Sequence, residues 1–399
     1  DRMAWMDEDI RAAGHAQMEA WREKAEQIGW YDYMYGVHYI VPRVYPHLMA
    51  ENLKYAHQNN VYGHYNEMYH NAGDGPKAWI NAKLMWDPEQ DVDALLQEWY
   101  ERTVGPEAAE DLEAVYDYWE NIWTERMQAS EWFIRNKNNT YLRFNELDYV
   151  YMITKEDFQF SMPLMESVVE KAETDLQKSR AIKLLSMFKY YEASALSYTK
   201  DIDPILDEAT ALTVLSDIEA NLSERVEYAS KRGPLWDEFS NDPILRFRSS
   251  RWYEWSGYNR TEFWHLADYI RHYEPNGGTV TDTVYQLANQ DDSSHFGYFV
   301  NMLHGLNEGS LSSYTTNSSF EEGSPEASPW TYWNPNGTAT IERVTDISHS
   351  GEASLLVENS THRAGAYQIF DVQPGLTAAE VYYYSPPGTD HGGVRIVAS

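Results

Sequence analysis

The chain has 399 residues, 43% of them apolar and 15% aromatic, with 63 acidic side chains against 31 basic ones for a net charge of -32. That is apolar material for two or three domains with cores of their own, not for a disordered chain. The negative surplus repels phosphate backbones and anionic bilayers within a Debye length, which excludes a nucleic-acid partner, and the lack of cysteine excludes disulfides, thiolate metal sites and thiol nucleophiles.

No run of about 18 apolar residues is present that would span a bilayer, and no charged-then-apolar signal segment opens the chain. The first residues, from Asp1, already read as the middle of a helix, so we expect a processed product or a piece of a longer polypeptide. Acidity of this degree keeps a protein dissolved at high salt, so we expect a marine, salt-tolerant or secreted source; the expected location is secreted or cell-surface, with the periplasm as the alternative. The oligomeric state is open.

"DEDIRAAGHAQMEAWREKAEQIGW" has its apolar and small residues at helical spacing, and Gly29 reads as the stop. "WYDYMYGVHYI", aromatic and β-branched, predicts a strand; "PRVYPHLMAENLKYAHQNN" predicts a loop and helix; "VYGHY" predicts a second strand. Alternation at this pace is what the closing part of a (β/α)8 barrel looks like, although two strands cannot close one.

From Lys77 to about Leu303 the period becomes helical. Val92, Leu95, Leu96, Trp99 and Tyr100 share one face, Gly105-Pro106 breaks the helix, and Leu112, Val115, Tyr116, Trp119, Ile122 and Trp123 repeat the face on the next. Further helices are expected from Pro163 to Tyr198 and from Pro204 to Lys231, with shorter ones in "FWHLADYIRHYE" and "HFGYFVNMLHGL". From Asn307 to Pro329, Ser, Thr, Gly, Glu and Pro dominate, the composition of a linker. Beyond it the period is two, as in β-sandwich strands, over a stretch of about seventy residues that is short for a sandwich.

The expected organisation is therefore multidomain α+β: a barrel end over residues 1–80, a mainly helical domain over 81–306, a linker over 307–328 and a β-sandwich over 329–399.

The stretch Lys83 to Ala109, "KLMWDPEQDVDALLQEWYERTVGPEAA", resembles the tail that follows the last barrel strand in a family of glycoside-hydrolase-like proteins of unassigned function. Their barrels are similar to those of α-glucuronidases and β-hexosaminidases, and the resemblance covers roughly the first 125 residues. The run "SGEASLLVENSTHRAGAYQIFDVQPG" resembles carbohydrate-binding modules of the family 4 and 9 type, which implies a jelly roll. Together these imply the C-terminal part of a secreted glycoside hydrolase that acts on a polysaccharide or oligosaccharide, one containing uronic acid included. The alternative is a non-catalytic glycan-binding or cell-surface protein.

Glycoside hydrolysis needs two carboxyl groups flanking the scissile bond, presented at the carboxyl ends of different barrel strands. In the resembling enzymes that pair comes from mid-barrel strands. Glu67 follows the second expected strand beside His64, Tyr65, Asn66 and His70, where it would line a glycan subsite and is the candidate for a catalytic carboxylate, or would cap a rim helix. Asp32, Tyr35 and His38 belong to the first strand, and alternation lets at most half of such a set point into a barrel. Arg248 and Arg251, set among Trp and Tyr, are candidate clamps for uronates. In the last segment Trp330, Trp333 and Tyr367 are candidate sugar platforms. His64, Glu67 and His70 match no zinc spacing, and neither metal nor cofactor is expected.

Overall fold

The computed structural model describes residues 2–34, 39–68, 71–143, 146–241, 256–257, 260–289, 295–307, 313–335, 337–349, 351–358, 364–371, 381 and 384. The chain falls into two compact units, residues 1–300 and 301–399. It is a mixed α+β protein, mostly helical, whose strands lie in small two-stranded sheets.

In the first unit α1 (Glu8–Arg22) leads to β1 (Ile28–Tyr33), α2 (Pro46–Gln58) and β2 (Val61–Glu67). The strands pair in parallel, Trp30 beside His64, Asp32 beside Asn66 and Tyr33 beside Glu67. Parallel pairing needs a crossover helix, which α2 supplies with Pro46 preset at its first turn. Gly29 does not end α1 but lies within β1. Helix α1 stops at Arg22, seven residues before Gly29, because Ile28 and Trp30 pair or pack as strand residues against Val61, Met18 and Trp5. Among the described residues the two strands do not close into a barrel.

Next come α3 (Lys77–Trp86), α4 (Val92–Val104), α5 (Pro106–Thr124), α6 (Glu131–Asn136), α7 (Lys155–Lys171), α8 (Asp175–Ser197), α9 (Glu208–Ser240), α10 (Arg260–Tyr273) and α11 (Thr279–Ala288). Asp91 caps α4 by accepting from the Asp93 and Ala94 N–H groups, and Gly105 at φ 92° ends it where Pro106 starts α5. The single helix expected from Pro163 to Tyr198 is two. A capping box of Thr154 and Asp157 starts α7 upstream, so Pro163 sits inside it, and a second box of Thr174 and Gln177 starts α8. Helix α11 was not legible as a separate element.

One apolar core runs from Met3 through Ile40, Leu84, Trp119, Trp123 and Phe188 to Phe239, and a second, smaller one joins Trp5, Met18, Trp30 and Ala56 behind the strands. Helix α12 (His295–Asn307) spans the division between the units.

In the second unit β3 (Thr331–Trp333) pairs antiparallel with β6 (Gly365–Tyr367), and β4 (Thr340–Val344) with β5 (Ser354–Glu358). Residues 313–330, linker-like in composition, fold back onto these strands. Thr316 exchanges hydrogen bonds with Gln368, and the Arg343 guanidinium donates to the Phe320 and Glu321 carbonyls. Chain-to-chain bonds of this kind hold a segment that has little apolar surface to bury. Among the described residues these two ribbons are the strands of the unit, fewer than a jelly roll has.

Candidate functional site

The period-two alternation of β1 and β2, combined with their parallel register, sorts the expected site residues onto two faces. One face carries Trp30, Asp32, His64 and Asn66 and packs against the helices. Trp30 meets Trp5 edge-on and its indole N–H donates to the Met18 sulfur. The other carries Tyr31, Tyr33, Tyr65 and Glu67, and here Tyr31 is 48% and Tyr65 62% exposed. His64 and Asn66 therefore do not join Tyr65 and Glu67 in one cleft, although they are neighbours in sequence.

On the open face the rings form a connected set. Tyr31 stacks on Tyr65 with centroids 5.1 Å apart, Tyr33 meets Tyr31 edge-on at 5.3 Å, and Tyr141 lies 4.9 Å from Tyr33. The Tyr31 hydroxyl donates to the Glu67 carboxylate. Glu67 ends β2, so its carboxylate stands at the carboxyl end of the parallel pair, beside the exposed rings of Tyr31 and Tyr65. A carboxylate accepts bonds from hydroxyls, and tyrosine rings cover the apolar faces of sugars.

Asp32 is the other acidic residue of the two strands. It is buried on the helix face, where its carboxylate accepts from the Arg2 and Tyr33 backbone N–H groups and lies 3.7 Å from the Arg2 guanidinium. Burial pushes His64 down to about 4 against the pull of Asp32, so the imidazole is neutral near neutral pH. Asn66 donates to the Met85 sulfur.

Beneath the loops that follow the strands lies a group of charges that the sequence did not single out. Arg43, Asp74 and Lys77 are all buried. The Arg43 N–H donates to Asp74 at 3.0 Å, and the Lys77 ammonium donates to the Arg43 carbonyl at 2.8 Å and to Asp74. Burial pushes Lys77 down to about 8 in spite of Asp74. Helices from later in the chain cover these loops. Tyr191 of α8 donates to Asn71 at 2.7 Å, Tyr116 of α5 donates to the Gly73 carbonyl at 3.2 Å, and the Trp123 indole donates to the Pro42 carbonyl. A lone Arg, Asp or Lys near Pro and Gly carries no sequence signal of such clustering. Tyr31 was legible only once the parallel register placed it opposite Tyr65.

Tyr35, His38, His70, Arg248 and Arg251 lie outside the described residues. In the second unit Trp330 is a packing residue: its indole N–H donates to the Asn317 carbonyl at 2.8 Å and its ring lies against Phe320. Trp333 and Tyr367 share one face of the β3–β6 ribbon and are 46% and 43% exposed. Among the described residues no group of three or more His, Asp or Glu side chains is arranged to hold a metal ion, and no helix is long and apolar enough to cross a membrane.

A family described as "Domain of unknown function (DUF4838)" matches residues 1–117, the stretch that holds both strands and the open tyrosine face. No curated protein and no solved structure matches the chain.

Proposed function

We propose that the chain is the C-terminal part of a secreted glycoside hydrolase, in which the tyrosine–Glu67 face lines a sugar subsite and the second unit holds the same polysaccharide on Trp333 and Tyr367. In this reading β1 and β2 are the end of a (β/α)8 barrel and the second unit is part of a jelly roll. One observation carries it: Glu67, held by the Tyr31 hydroxyl, stands among stacked and exposed tyrosines at the carboxyl end of two parallel strands. Ligands of (β/α) proteins bind at that end.

The two strands offer this face one carboxylate, since Asp32 points to the opposite face. Hydrolysis needs two. Glu67 therefore acts here by accepting sugar hydroxyls, a charge-assisted bond worth about 1.5 to 3 kcal/mol each. The same count favours the second reading, a glycan-binding protein without catalysis of its own.

In the full-length product, Glu67→Gln is expected to lower kcat/KM on the cognate polysaccharide by roughly ten- to a hundredfold, the size of a loss of about 1.4 to 2.7 kcal/mol in transition-state binding. Its melting temperature should stay within about a degree of the wild type. Intact kinetics with a melting temperature several degrees lower would make Glu67 a structural cap. Glycan retention with no hydrolysis in the wild type would establish the binding reading.

A further inference from the structure

Between the helix face of β1–β2 and helices α2 and α3 lies a cavity of about 10 Å³. Its wall includes Arg2, Tyr45, His64 and Asn81 together with apolar Met34 and Leu53. Tyr45 is 3% and Asn81 4% exposed, yet the Tyr45 hydroxyl, the Asn81 side-chain oxygen, the Arg2 Nε and both ring nitrogens of His64 are buried without a hydrogen-bond partner. Such a concentration is out of keeping with protein interiors, where buried polar groups are nearly always paired and an orphaned one costs about 1 to 3 kcal/mol.

We infer that this cavity is a binding site for one ordered water molecule, which bridges Arg2, Tyr45, His64 and Asn81. The volume matches, since about 10 to 15 Å³ of this kind of space holds a single water. So does the chemistry. Arg2 Nε–H and the Tyr45 O–H are donors, so the water accepts two bonds. The Asn81 oxygen and a bare imidazole nitrogen are acceptors, so it donates two, and all four of its positions are used. Burial keeps the imidazole neutral near neutral pH, which leaves it that bare nitrogen. The Arg2 guanidinium excludes a cation from the same space, and the adjoining Asp32 carboxylate excludes an anion.

The water would complete the contact between the strand that bears Glu67 and the helices behind it. It accounts for a polar helix face on a parallel strand pair, where apolar residues are the rule.

A high-resolution crystal structure of the wild-type chain tests this directly. The expected result is one density peak about 2.7 to 3.2 Å from at least three of the four groups. An empty cavity, or the four side chains turned to pair with one another, overturns the inference. Oxygen-17 relaxation dispersion in solution counts long-lived internal waters, and Asn81→Leu, which fills the space and removes an acceptor, is expected to lower that count by one. An unchanged count in a folded variant also overturns it. If Asn81→Leu does not fold, the wild-type density decides.

Discussion

His47 joins the crossover helix to the helices that follow it. Its ring lies 2.6 Å from Glu120 of α5 through Nδ1 and 2.9 Å from Asp93, in the first turn of α4, through Nε2, while its backbone N–H donates to Glu120 at 2.9 Å. The Glu120 hydrogen bond, against the cost of burial, raises the imidazole from 6.5 to about 9. At 1.36 kcal/mol per pH unit that gap is worth about 3.4 kcal/mol. The side chain is 46% exposed, and solvent screening reduces the contribution to about 1 to 2 kcal/mol.

The folded state holds the proton more tightly than the unfolded one. The contribution is therefore complete below pH 6.5 and disappears as the pH climbs through about 9. Urea unfolding of wild type and His47→Gln, followed at about pH 5.5 and about pH 10, reads it, since titrations away from the His47, Asp93, Asp117 and Glu120 cluster are common to both proteins. Wild type should exceed the variant by about 1 to 2 kcal/mol more at the lower pH than at the higher. Two stability curves that run parallel across this range would show that the His47 charge does not tie α2 to α4 and α5.

The second-unit tryptophans should separate: Trp333→Ala is expected to weaken retention on polysaccharide affinity gels by about 1 to 3 kcal/mol with an unchanged melting temperature, whereas Trp330→Ala should lower the melting temperature instead. Equal effects of the two on retention would refute that division. At Gly73 an added Cβ would run into the ring and hydroxyl of the buried Tyr191, so Gly73→Ala should cost about 1 to 3 kcal/mol in urea unfolding, as overpacking does. A neutral result would mean that α8 does not clamp this loop. Asp74→Ala strips the buried Lys77 ammonium of its carboxylate and the Arg43 backbone N–H of its acceptor and should cost about 3 to 5 kcal/mol, read as the shift in the urea midpoint; a loss under about 1 kcal/mol would show that these donors find other partners.

The sequence by itself determined the elements whose signals are local. The change from alternating strand and helix to helix alone after Lys77, the break at Gly105-Pro106 and the one-sided faces of α4 and α5 follow from hydrophobic period and backbone stereochemistry, which neighbours in space do not alter. The boundaries that shifted were those set by packing: α1 gave way to β1 before Gly29 because Trp30 is buried among Trp5, Met18 and Tyr55. Only the tertiary structure could sort the stretch from Val61 to Glu67 into two faces. A strand's side chains alternate, but which set meets helices and which stays open depends on where α1 and α2 pack, and so His64 fell to the cavity on the helix face while Tyr65 and Glu67 reached the open face. The joining of Arg43 to Asp74 and Lys77 was likewise invisible in the sequence, because Arg43 follows β1 while Asp74 and Lys77 lie between β2 and the first turn of α3, segments brought together by the parallel pairing of β1 with β2 and by the helices that cover them.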